Sequence, residues 1–281
     1  MKLLLIRPFC IIILLLSAYI TTAQEAKHLI DFLQTKPRHT AGIKQHIQQM
    51  KQDTIHYAEV NTAIERILPS GITQLHYVLF THQPQVYQLS ILAQKTQIIG
   101  IKLFKVTYNK GYTYPREQLS ILYSWVNITS LQKYIDGHNK LYGSQLNTDD
   151  VSLLPFRLYK YGSDCGHSTP DQYSRMRQLI RQKDEYTLQK WLRSMNVELQ
   201  AYALEGLARL KHPKKIKRSH LVEIPLRVES QKRLFKKYLW RVPETKVVQL
   251  LRQSNTKVYT CAGCFGMNYT PIATLVEKMG F

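Results

Sequence analysis

From Ile72 the side-chain pattern of this chain takes a period of two, and that period restricts the fold more than any other feature of the sequence. Leu75, Tyr77 and Leu79 alternate with His76, Val78 and Phe80. His82-Gln83-Pro84 reads as a turn. Tyr87, Leu89, Ile91 and Ala93 alternate next, and Ile98 to Tyr108 forms a third run that Asn109-Lys110-Gly111 ends. Successive side chains of a strand point to opposite faces, so such runs build half-buried strands. Short turns between them predict an antiparallel meander. Leu119 to Ile128 fits a strand or a helix equally well, and Leu131 to Tyr142 reads as a helix.

Helical spacing flanks these runs. Glu25 to Leu33 predicts a short helix before Pro37. Thr40 can cap a segment with Ile43, Ile47, Met50, Tyr57, Ile64 and Leu68 on one stripe, stopped by Pro69-Ser70-Gly71. Thr54 and Asn61 interrupt that stripe, so it reads as one helix or two. Tyr161-Gly162-Ser163-Asp164 reads as a boundary loop. After it, Thr169-Pro170-Asp171-Gln172 has the residues of a helix start, with Tyr173, Met176, Leu179 and Ile180 on one face. Asp184 caps a second helix, with Leu188, Trp191, Leu192 and Met195 inward. Asn196 caps a third, with Ala201, Leu204, Leu207 and Ala208 inward. Gly206 in its middle costs roughly 1 kcal/mol relative to Ala, which a close helix contact would explain. Val228 to Leu239 and Val247 to Leu251 suggest another helix pair. Lys257 to Thr260 suggests a short strand, and Thr270-Pro271 the start of a last short helix.

The run Val197-Glu198-Leu199-Gln200-Ala201-Tyr202-Ala203-Leu204-Glu205-Gly206-Leu207-Ala208-Arg209-Leu210 resembles the second helix of a HEAT-type repeat, with Trp191-Leu192 on the helix before it. The resemblance covers residues 171–210, in one copy. It implies helix stacking and a binding or scaffolding role. A lone helix pair cannot bury its face by itself, so it must pack on another part of the chain. The fold class expected is α+β. Residues 24–160 form N-terminal helices and a small antiparallel sheet, and residues 161–281 a mainly helical, HEAT-like part ending in a Cys-x-x-Cys segment.

Residues 1–23 have the layout of a secretory signal peptide: Lys2 and Arg7, the apolar run Phe9 to Leu16, then Thr21-Thr22-Ala23 at a cleavage site. The apolar core is shorter than the roughly 20 residues a spanning helix needs. The expectation is an exported protein, periplasmic or extracellular, with no transmembrane anchor after cleavage. Removing Lys2 and Arg7 takes the formal charge from +20 to +18. Arg209 to Arg252 holds a net +11 of it, with Glu223, Glu229 and Glu244 as the acids. An excess of this size favours anionic partners, or else serves solubility. Lys214, Lys215, Lys217, Arg218, Lys236 and Lys237 are the candidate anion-binding residues, interleaved near Phe235, Tyr238 and Trp240. The alternative is a helix whose core face is Leu234, Phe235, Tyr238 and Leu239, with the lysines solvated. The partner expected is a protein or an anionic polymer of the envelope, with nucleic acid a less favoured choice.

Cys165, Cys261 and Cys264 survive cleavage. In an exported chain a disulfide is the first expectation, and the odd number leaves one thiol over. A Cys165 bridge to either of the others would tie the loop at 161–166 to the segment at 257–264. Cys165, His167, Cys261 and Cys264 alternatively supply the ligand types of a Cys3His zinc site. A redox Cys-x-x-Cys lacks the βαβ setting such sites use. Tyr159-Lys160-Tyr161-Gly162-Ser163-Asp164-Cys165-Gly166 resembles the Asp-Cys segment of NlpC/P60 cell-wall peptidases. That resemblance implies a cysteine hydrolase with Cys165 as nucleophile. Gly166 stands where the family has Ser, and no base can be placed beside the thiol. The leading reading is therefore a non-catalytic binding or scaffold protein, without an assigned cofactor or catalytic residue. His56-Tyr57-Ala58-Glu59 is a chance pairing of ligand types, Asp149-Asp150 a loop or cap pair. Asn127-Ile128-Thr129 and Asn268-Tyr269-Thr270 match the glycosylation sequon.

Overall fold

Five strands form one antiparallel meander in the order β1 (Tyr57–Ile67), β2 (Ile72–Thr81), β3 (Val86–Gln94), β4 (Gln97–Asn109) and β5 (Arg116–Val126). The computed structural model describes residues 27–35, 38–53, 57–68, 71–82, 85–109, 116–150, 154–162, 170–211, 243–261 and 267–281. The period-two runs give β2 to β4. Leu75, Tyr77 and Leu79 of β2 lie on the same face as Tyr87, Leu89 and Ile91 of β3 and Ile101 and Leu103 of β4. That face is covered by a helix over 27–34 (α1) and by α2 (Thr40–Gln52), through Leu29, Leu33, Ile43, Ile47 and Met50.

The helix expected to continue from Thr40 to Leu68 stops at Gln52, and the chain from Tyr57 is β1. Two bulges, between Tyr57 and Glu59 and between Thr62 and Ile64, account for the misleading spacing. Each inserts one residue, so buried Tyr57, Val60 and Ile64 fall three and four apart, as on a helix. The chance pairing at His56 to Glu59 therefore lies on no helix; His56 itself is outside the described residues.

The second sheet face packs on helices. β5 leads into α3 (Ile128–Tyr142), capped by the Asn127 side chain, which accepts from the Ser130 N–H at 3.0 Å. The first sequon asparagine is thus a helix cap. Gly143, with φ 66°, closes α3 in the left-handed conformation. Then come α4 (Asp171–Gln182), α5 (Glu185–Leu192) and α6 (Val197–Lys211). Two of the expected caps are present: Asp184 accepts from the Thr187 N–H at 3.0 Å and Asn196 from that of Leu199 at 3.2 Å. Thr40 is not a cap but the first residue of α2, whose cap position is His39 with no side-chain hydrogen bond. A Cβ on Gly206 would lie 2.7 Å from Leu188 Cδ2, so the glycine marks the close α5–α6 contact that its position suggested. α6 is buried on nearly every side from Val197 to Leu204, not on one stripe alone.

α7 (Glu244–Arg252), a two-stranded ribbon of β6 (Lys257–Cys261) and β7 (Met267–Pro271), and α8 (Ile272–Lys278) complete the described fold. Leu92, Ile99 and Phe104 of the sheet share one buried cluster with Leu131, Met176, Leu204, Val247 and Ile272. The molecule is α+β, with the sheet as a middle layer between α1–α2 and the remaining helices.

Candidate functional site

Cys165, His167, Cys264, Lys214, Lys215, Lys217, Arg218, Lys236 and Lys237 lie outside the described residues, as do the side chain of Cys261 and the second predicted helix at 228–239. The described residues fix what surrounds those segments. Tyr161 forms a parallel bridge with Thr260, and its N–H donates to the Tyr259 carbonyl at 2.8 Å. The loop before Cys165 and the strand that ends in Cys261 are therefore neighbours, as a shared cysteine site requires.

Two tyrosines hold that loop on α6. The Tyr202 hydroxyl donates to the Lys160 carbonyl at 2.7 Å and accepts from the Gly162 N–H at 3.1 Å. The Tyr161 hydroxyl donates to Glu205 Oε2 at 3.0 Å, while Arg209 holds Glu205 Oε1 at 2.5 Å. Burial, then the Glu205 carboxylate, raises the Tyr161 phenol well above its ordinary value. Burial raises Tyr202 as well. Both phenols stay protonated and act as anchors.

The basic stretch leaves and returns at one place. Lys211, the last residue of α6, reaches Glu244, the first of α7, with Nζ 2.5 Å from Oε1. The other Glu244 oxygen accepts from the Gln189 amide, whose own oxygen accepts from Arg193. Burial lowers the Arg193 guanidinium to about 10, and Glu244 opposes that shift. The two described residues that flank 212–242 closely, Lys211 and Glu244, are thus joined to each other, and Glu244 is joined to α5 as well; the 31 residues between hold ten Lys or Arg and two acids.

A polar seam between the sheet and α6 is the feature that sequence reasoning missed. Arg66 of β1 makes a two-pronged ion pair with Glu198 of α6, at 2.5 and 3.0 Å, with both side chains buried. Arg66 also donates to the Lys257 carbonyl at 2.6 Å and to Gln74 Oε1 at 2.6 Å, and Glu198 accepts from the Tyr259 N–H at 3.0 Å. Gln74 Nε2 lies 2.8 Å from His76 Nε2. Burial, then the Arg66 charge, pushes His76 down to about 3, against a smaller opposite pull from the Pro155 carbonyl.

Neither this seam nor its surroundings is open to a substrate. Ser90 stands opposite His76 on one side and Lys102 on the other, a combination with nucleophile and base types. The Ser90 side chain is fully buried and makes no hydrogen bond, and Lys102 Nζ sits 4.7 Å from the centre of the Phe156 ring. A nucleophile sealed in this way cannot meet a substrate. The open cleft at the end of α3, about 430 Å³, is lined by Asp136, Asn139, Lys140, Gly143, Ser144 and Gln145. Asn139 is consumed there by Ser144 and the Leu146 backbone, and Asp136 accepts from Gln132. Asp150 accepts from the Asn147 N–H and pairs with Lys190, so Asp149-Asp150 belongs to a loop. Among the described residues no three His, Cys, Asp or Glu side chains gather as a metal site, and no helix is long and apolar enough to cross a membrane.

No family model, no curated protein and no solved structure matches this chain.

Proposed function

We propose that this chain is an exported, non-catalytic binding or scaffold protein that holds an anionic polymer of the envelope or extracellular space through residues 212–242. The observation that carries this reading is the ion pair joining Lys211 to Glu244 on either side of the basic stretch. A net charge of +8 is concentrated in 31 residues whose two ends are clamped by Lys211 and Glu244. Clamped ends limit the loss of chain freedom on binding, and clustered Lys and Arg release counterions from a polyanion. Export rests on the pattern of residues 1–23, and the scaffolding role on the HEAT-like run 171–210. Cys165, Cys261 and Cys264 serve stability in this reading, through a disulfide or, less economically, a zinc ion with His167. The Cys165 hydrolase is the weaker proposal, because Gly166 stands where the resembled family has Ser and the sequence offers no base that can be assigned to the thiol.

The test uses the full mature chain and a variant with Lys214, Lys215, Lys217 and Arg218 all replaced by Glu. Binding to a sulfated polysaccharide, to an anionic cell-wall polymer and to duplex DNA is measured at several salt concentrations. The wild type is expected to bind the carbohydrate polymers with an affinity that falls steeply with salt, and the variant to lose at least about tenfold. Equal binding by both proteins, or no binding at low salt, overturns the proposal. Preference for duplex DNA would replace the polymer with nucleic acid.

A further inference from the structure

We infer that the seam joining the sheet to α6 and β6 is an acid-operated latch, with His76 as its trigger. The argument starts from the direction of each hydrogen bond. Arg66 Nε can only donate, so the Gln74 atom facing it at 2.6 Å is the amide oxygen. The Pro155 carbonyl can only accept, so the Gln74 atom facing it is the amide nitrogen. Two independent neighbours thus fix one orientation of Gln74. That same nitrogen lies 2.8 Å from His76 Nε2, which must accept and therefore carries no proton. The sequence of donors runs one way, from the Arg66–Glu198 pair through Gln74 to a neutral His76.

A proton on His76 Nε2 breaks this order. It sets an N–H against the Gln74 N–H. Turning Gln74 to meet it would set the amide N–H against Arg66 Nε and abandon Pro155. In either arrangement the charged ring and the Gln74 amide compete for the Pro155 carbonyl, and water has no access to relieve the conflict, since Gln74, His76 and Glu198 are each at most 1 % exposed. The groups affected hold β1 and β2 to α6, to the β6 backbone at Lys257 and Tyr259, and to the segment containing Pro155. The other titratable or charged groups on elements around the ring are Lys102 of β4, Arg157 and Tyr159 of the 154–162 segment, and Tyr259 of β6. Arg66 opposes a second positive charge there and also acts on Tyr269 of β7. Glu198 is the carboxylate of the seam among the described residues, and Arg66 and the Tyr259 N–H already engage it.

The balance has a definite sign. His76 binds a proton readily only once the seam is open. Each pH unit below its ordinary value of 6.5 therefore favours the open state about tenfold, until its closed-state value near 3 is reached. At about pH 5 the opening equilibrium should rise roughly 30-fold relative to neutral pH. Hydrogen exchange of the full chain, corrected for intrinsic rates, reads this directly. At about pH 5 the amides of α6 and β6 should lose roughly that factor in protection, beyond any loss shared with α2, which does not touch the seam. His76→Gln, which keeps an acceptor and removes the titration, should lose less than a third as much. His82→Gln, an exposed position at the end of β2, should behave as the wild type. Unchanged protection in the wild type, no excess loss in α6 and β6 over α2, or the same loss in His76→Gln would overturn the latch. If His76→Gln does not fold, the histidine ring resonances of the wild type decide: a His76 ring that titrates near 6.5 with the seam closed rules the latch out.

Discussion

Arg66 and Glu198 meet where water does not follow, and a charge left alone there costs more than the pair contributes. Arg66→Met should therefore destabilise the chain by about 3–5 kcal/mol, and Glu198→Gln by a comparable amount. The double variant should cost less than the sum, which a denaturant-unfolding double-mutant cycle would detect as coupling. Additive costs would show that the two side chains do not depend on each other. Gly206 makes a second residue-scale prediction. Its missing Cβ is the space occupied by Leu188 Cδ2, and Leu188 is fully buried. Gly206→Val should cost about 1–3 kcal/mol by overpacking. Adding Leu188→Ala should recover part of that loss. A Gly206→Val protein with an unchanged denaturation midpoint would disprove the close contact.

At the scale of elements, the bridge between Tyr161 and Thr260 is the informative contact. Four residues span at most about 14 Å, so chain length permits Cys165 to meet Cys261 or Cys264. A Cys165 disulfide to either should appear as one linked peptide pair in unreduced digests, with the third cysteine free to alkylate. Alkylation of all three in exported, metal-free protein would remove the disulfide proposal. A bridge of this kind closes a loop of nearly 100 residues, worth roughly 4–5 kcal/mol in the chain-entropy account. Caps act at the same scale. Asn196 accepts from Leu199 and donates to the Arg157 carbonyl at 2.8 Å. Asn196→Ala should lower stability by about 1–2 kcal/mol in thermal or denaturant unfolding, because it ends α6's cap and its tie to the neighbouring loop.

The whole molecule should be acid-labile. His76 is held down to about 3 and His138 to about 4, both chiefly by burial, with the Arg193 carbonyl opposing the shift of His138. Both folded values lie below the unfolded value near 6.5, so both contribute stability above it and lose that contribution as pH falls toward 4 and then 3. Each histidine should remove up to about 1.4 kcal/mol per pH unit over its window. A denaturation midpoint constant from about pH 7 to pH 4.5 would contradict the burial of both rings. The α+β class, the meander of β2 to β4, the caps at Asp184 and Asn196 and the tight spot at Gly206 were all legible in the sequence. Each rests on local chemistry: side-chain alternation, a capping oxygen, a missing Cβ. β1 was not legible, because its bulges give a strand the apolar spacing of a helix, and only pairing with β2 resolves the ambiguity. The Arg66–Gln74–His76–Glu198 seam was not legible either. Arg66 and Glu198 are 132 positions apart, and nothing near either residue in the chain names its partner. Local pattern determined which apolar residues turn inward along β2 to β4 and along α4 and α5. Tertiary packing decided which inward faces meet, because only there does burying a charge demand one particular partner.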